Sequence, residues 1–180
     1  MLIFIGLVSW GLFSIAQNLF SRTSDGLGNS SNTVQIAETE DVLRSAGVAT
    51  FTVDGPVVAN KDHRSYVITV TNAETNVKLY ERYGSKVLEE ASYPNTQDAF
   101  NAFMSALANE SILAEKNNAD GELTFAEEGV CSRGRRYILE IDSSIRRWTT
   151  SCSSKDGNAD FSMSRVRALF QKQIPDFNDV

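Results

Sequence analysis

CSRGRRYILEIDSSIRRWTTSC, running from Cys131 to Cys152, reads as a β-hairpin with both cysteines of the chain at its two ends. RYILEID alternates, placing Tyr137, Leu139 and Ile141 on one face and Arg136, Ile138, Glu140 and Asp142 on the other. Asp142, Ser143 and Ser144 form turns through side-chain bonds to nearby backbone. IRRWTTSC then returns, with Ile145, Arg147 and Thr149 alternating against Arg146, Trp148 and Thr150. A tight turn brings the two cysteines to the same open end, where a Cys131–Cys152 disulfide is expected. Such a bond closes a loop of about 20 residues and contributes about 3 kcal/mol in the chain-entropy model. The alternative is a pair of buried free thiols packed as small hydrophobes. A zinc site is excluded, because it needs four ligands and the single histidine, His63, is far away in the sequence.

The compartment is read from the other end of the chain. Leu2 to Phe20, LIFIGLVSWGLFSIAQNLF, carries no charged side chain over 19 residues. A helix needs about 20 such residues to cross a bilayer. The stretch is therefore expected to be a transmembrane anchor or uncleaved signal over residues 1–20. Two alternatives stand beside it: a signal peptide cleaved after Ser14-Ile15-Ala16, and a buried core helix. An anchor with the remainder outside the cytoplasm also suits a disulfide, which persists where cytosolic reductants do not reach.

SRTSDGLGNSSNT, residues 21–33, has the Ser, Gly and Asn content of a flexible linker. Within VQIAETEDVLRSAG a short helix from Thr39 to Ala46 is expected, closed by Gly47, with ordered linker as the alternative. The linker as a whole covers 21–47, and the folded domain is expected over 48–180. ATFTVDGP, RSYVITVTNA and NVKLYERYG alternate as strands, Asn72 to Asn76 supply a turn, and KVLEEASY is a candidate fourth strand. Asn95-Thr96-Gln97-Asp98 caps a helix whose Phe100, Phe103, Met104 and Leu107 fall at i, i+3, i+4 and i+7. Asp120-Gly121 is a turn before a short strand, LTF. Ser162 or Ser164 caps a last helix with Val166, Leu169 and Phe170 on one side, stopped by Pro175. The fold class is α+β: an antiparallel sheet in the order β-β-β-(β)-α-β-β-α with both helices on one face, preceded by the transmembrane helix.

The chain of 180 residues has a net charge of −6, which argues against nucleic acid as a partner. The charge is uneven: residues 1–127 carry −8 and 128–180 carry +2. Arg133, Arg135, Arg136, Arg146 and Arg147 form a candidate surface for an acidic envelope partner, against the plainer expectation of a solvated strand face or internal ion pairs with the acidic half. Catalytic, cofactor and metal sites are expected to be none. Asp156-Gly157-Asn158-Ala159-Asp160 opens like a calcium loop, yet Phe161 stands where glycine is required and Arg167 where the bidentate Glu belongs, so it is a turn. Cys131 or Cys152 with His63 lacks an orienting group, and no G-x-S-x-G supports a serine nucleophile. Glu89-Glu90 and Glu127-Glu128 are adjacent pairs that face opposite ways on a strand.

SYVITV, LYERYG, DAFNAFMSAL, C-x-x-G-x-RYILEI, RWTTSC and VRALFQKQIPDF, behind an apolar N-terminus and a Ser/Gly/Asn linker, resemble uncharacterised membrane-anchored extracytoplasmic proteins of reduced-genome bacteria. That family has no assigned activity, so the resemblance implies location and architecture but transfers no functional residue. More loosely, the element order is similar to emfourin-type inhibitors of secreted metalloproteases. The leading expectation is a membrane-anchored, non-catalytic extracytoplasmic binding or structural module, attached through residues 2–20. A metalloprotease inhibitor is the alternative.

Overall fold

Strand β1 (Val48–Asp54) is paired along both edges and is the axis of the sheet. The computed structural model describes residues 42–43, 45–114, 116, 131–153, 155–175 and 177. All of them belong to the unit Ile36–Val180. The anchor, the linker 21–33, half of the helix expected at Thr39–Ala46, the Asp120-Gly121 turn and the LTF strand lie outside the described residues.

Strands β2 (Arg64–Thr71), β3 (Glu74–Glu81) and β4 (Lys86–Pro94) follow β1 as an antiparallel meander. Helix α1 (Gln97–Asn109) then carries the chain back, so that β5 (Arg136–Ile141) pairs with the free edge of β1 and β6 (Ile145–Thr150) continues outward. The strand order is β4-β3-β2-β1-β5-β6, and helix α2 (Met163–Gln171) completes an α+β fold of six antiparallel strands and two helices. The candidate fourth strand is present, and the order of elements is the expected one.

Register explains the core. Phe51 is paired with Ile68 on one side and Leu139 on the other, and Ala49 with Val70 and Ile141. A side chain on the inner face of β1 therefore meets apolar neighbours on both flanks, the cross-strand unit of sheet stability. Both helices close over this face. Phe100, Phe103, Met104 and Leu107 of α1, and Met163, Val166 and Phe170 of α2, join the same buried cluster. Phe170 is the joint between layers, its ring 5.2 Å from Phe51 and 5.0 Å from Phe103. Thr96 caps α1, accepting from the Ala99 amide at 3.2 Å. Ser162 holds the N-cap position of α2, but its hydroxyl pairs with Ser164 and makes no bond to the helix backbone.

Two expectations are corrected in detail. The turn expected over Asn72 to Asn76 is confined to Asn72 and Ala73. The Thr71 hydroxyl accepts from the Ala73 and Glu74 amides, so pairing resumes at Glu74 and Thr75 is buried. The core also begins earlier than Val48, for Leu43 is fully buried and Ala46 nearly so.

The hairpin turn spans Asp142, Ser143 and Ser144 between the paired Ile141 and Ile145, with Asp142 and Ser143 both taking positive φ, 48° and 59°. Asp142 does more than turn the chain. Its carboxylate accepts the amides of Gly47 and Val48 at 3.0 Å, fastening the hairpin to the start of β1. At the opposite end Cys131 and Cys152 are bonded, with Cα atoms 5.5 Å apart.

The two outer edges of the sheet are managed differently. Asp156-Gly157-Asn158-Ala159-Asp160 lies along β6: Asn158 accepts the Trp148 amide at 2.9 Å and donates to the Arg146 carbonyl, and the Ala159 amide reaches the Trp148 carbonyl. The segment expected to be a simple turn thus covers an edge. On β4 the charges of Lys86, Glu89 and Glu90, together with Pro94, discourage edge-to-edge pairing.

Two substitutions test these devices. Replacing Cys131 and Cys152 together by serine is expected to lower the urea midpoint, with a loss of about 3 kcal/mol for a loop of this length. Gly157 has φ +85°, and a Cβ there would sit 2.0 Å from the Trp148 carbonyl oxygen. Gly157→Ala is therefore expected to cost about 2 kcal/mol or more in the same titration.

A cationic cleft at the disulfide end of the sheet

At the end of the sheet that carries the disulfide, the inner face runs out of aliphatic side chains. The last inner row there, read across the pairings, is Thr149, Tyr137, Val53, Tyr66 and Leu79. On α2, Arg167 and Gln171 stand four residues apart, hence on one face of the helix. The Arg167 guanidinium lies over the Tyr137 ring at 5.8 Å, and Gln171 lines the cleft beside Tyr66. Phe177, with its ring 6.2 Å from Tyr66, closes one side. The result is a cleft of about 440 Å³ whose polar wall is made by Arg64, Arg135, Arg167, Tyr66 and Gln171.

The disulfide loop positions Arg135. The Arg135 amide donates to the Ser151 hydroxyl at 2.8 Å, and the Ser151 amide donates back to the Arg135 carbonyl at 2.8 Å. Gly134 permits this approach, because a Cβ there would meet Cys131 Sγ and Ser151 Oγ at 2.4 Å. The covalent bond and the hydrogen-bonded pair together place one guanidinium at the mouth of the cleft.

Acidic groups near this end are already engaged. Asp54 is held by His63 Nε2 at 3.1 Å and by Arg136 at 2.9 Å. Glu81, whose side chain is only 10% exposed, is surrounded by Lys86 at 2.9 Å and by Arg64 and Arg82 at 3.3 Å. The Lys86 hydrogen bond is the main cause that holds the Glu81 carboxyl below its ordinary range, reinforced by the charges of Lys86, Arg64 and Arg82 against a smaller opposing effect of burial. No carboxylate among the described residues lines the cleft. Among the described residues Arg135 makes no ion pair, and Arg167 Nε is buried without a hydrogen-bond partner. Burial raises the Tyr66 phenol above its usual value while the Arg167 charge pulls the other way, so a neutral hydroxyl faces the cleft at physiological pH.

Chemically, such a wall can grip an anion, since guanidinium presents paired donors in a plane that matches carboxylate or phosphate. His63 is not part of it. It is 1% exposed and stacks on Tyr83 with ring centroids 3.8 Å apart; its Nδ1 is buried and unpartnered. Its place is structural, tying the loop after β1 to Asp54. The bonded sulfurs of Cys131 and Cys152 carry no thiolate. Among the described residues no cluster of three His, Cys, Asp or Glu side chains could hold a metal ion, and no helix is long and apolar enough to cross a membrane.

The five arginines singled out from the sequence are divided by the strand alternation. Arg135 enters the cleft, and Arg133 is exposed on the disulfide loop. Arg136 and Arg146 point to the other face of the sheet, bound to Asp54 and Glu140. Arg147 faces the helices and donates to the Leu113 carbonyl at 3.0 Å. Arg64, Tyr66, Arg167 and Gln171 were not marked by sequence reasoning. Only the polar i, i+4 pair Arg167 and Gln171, beside the apolar stripe of α2, offered a signal. No protein-family model, no curated protein and no solved structure matches the chain.

The Glu81 cluster gives a pH test. A carboxyl held below its unfolded value of about 4.3 contributes stability that is present above that pH and is lost as the pH falls through the folded-state value. Glu81→Gln is expected to lower Tm at pH 7 and to flatten the decline of Tm between about pH 5 and pH 2. An unchanged acid-side slope would show that the three cations do not act on Glu81.

Proposed function

We propose that the protein is a non-catalytic binding module that takes an anionic group of its partner into the arginine cleft. One observation carries this: Arg135 and Arg167 face a single cleft in which, among the described residues, no carboxylate neutralises them, in a chain whose net charge is −6. A local positive site on an acidic protein is costly to hold together by self-repulsion and is favoured where an anion completes it. The module is held at a membrane by residues 2–20 with the domain outside the cytoplasm, in keeping with the uncharged stretch and with the Cys131–Cys152 bond. The partner is an envelope protein that presents an acidic side chain or terminus.

The test is an NMR titration of the full chain in detergent with a glutamate-rich peptide. Resonances of Arg135, Tyr66 and Arg167 are expected to shift, and Arg135→Glu with Arg167→Glu is expected to weaken binding at least tenfold. Arg146→Glu, on the opposite face, is expected to leave affinity within twofold. Equal loss from Arg146→Glu, or retention in the double variant, would overturn the proposal.

A further inference from the structure

Beside the cleft lies a second cavity of about 240 Å³, lined by Tyr137, Thr149, Thr150, Met163 and Ser164 and sharing Arg167 with the first. Its wall is mostly carbon, and it is larger than the roughly 150 Å³ cavity that suffices to hold benzene. Arg167 therefore stands between an apolar chamber and a cationic one, its guanidinium stacked on the Tyr137 ring that borders the apolar side.

We infer that the ligand is an organic carboxylate with an aromatic group a few bonds from its charge. This rests on the anion-binding role of the cleft and adds to it the chemical class of the ligand. The carboxylate sits between Arg135 and Arg167 with the Tyr66 hydroxyl and Gln171 amide beside it, and the apolar group turns past Arg167 into the chamber. A bare anion would leave that chamber empty. A purely apolar molecule would bury Arg167, whose Nε already lacks a partner among the described residues. The same chemistry is offered by a small free acid and by a polypeptide that ends in an aromatic residue.

The experiment titrates the full chain in detergent with 3-phenylpropionate, propionate, 3-phenylpropan-1-ol, and a pentapeptide ending in phenylalanine as the free acid or the amide. The phenyl group is expected to raise affinity over propionate roughly 10- to 100-fold, the gain from burying one aromatic ring. The alcohol is expected to bind at least tenfold more weakly than the acid. Ser164→Trp, at an exposed position on the chamber wall, is expected to remove the phenyl advantage while leaving propionate unchanged. Tight binding of the peptide acid but not its amide assigns the carboxylate to a chain terminus; binding of the small acid alone assigns it to a free metabolite. A phenyl gain below threefold, with the anion still dependent on Arg135 and Arg167, overturns the inference and leaves the cleft reading standing. Failure of every anion overturns both.

Discussion

Pairing of β1 along both of its edges is the constraint on which the rest of the structure depends. A central antiparallel strand satisfies all its backbone groups and presents one face to two flanks at once. Because side chains alternate strictly, a slip of one residue against either β2 or β5 would move Ala49, Phe51 and Val53 out of the core. The β2 side is held by a local meander. The β5 side joins segments more than eighty residues apart, and there Asp142 supplies a register pin by accepting the amides of Gly47 and Val48. The disulfide closes the other end of the same hairpin. Turn carboxylate and covalent bond act at opposite ends of one element, and that element is the one with the longest loop to close.

That arrangement also explains why the cleft lies where it does. The hydrophobic face of the sheet is wider than two short helices can cover, and α2 turns from Val166 and Phe170 to Arg167 and Gln171 as it passes the row of Tyr66 and Tyr137. Aromatic residues with polar tips suit that border between core and solvent. Asp54, on the far face of the same sheet end, and Glu81, beside Arg64 on the near one, are satisfied by their own cations, so the charge that remains for a ligand is the positive charge of the cleft.

Much of this was legible from local pattern. The alternation of RYILEID and IRRWTTSC placed each residue of the hairpin on its observed face, and the stripe of Phe100, Phe103, Met104 and Leu107 placed the buried side of α1. Such features depend on neighbours two to four positions away, where side-chain direction is set by the backbone itself. The role of Asp156-Gly157-Asn158-Ala159-Asp160 was less accessible. Its residue types announce a turn, but the amide and carbonyl that Asn158 satisfies belong to β6, and only docking along that edge defines them. Grouping arginines by closeness in sequence also misled, since neighbouring strand positions point apart and Arg136, Arg146 and Arg147 were dispersed over two faces.

The sequence by itself determined the α+β class, the element order and the hairpin, because each follows from periodicity; a count of two said which cysteines could pair, and the structure decided that they do. Only the tertiary structure decided the strand order, with β5 returning to β1, and through it the cleft. Arg64 and Tyr66 come from β2, Arg135 from the entry to β5 and Arg167 from α2, separated by up to about a hundred residues. No local signal encodes their meeting, for it is created when long-range pairing brings those elements together.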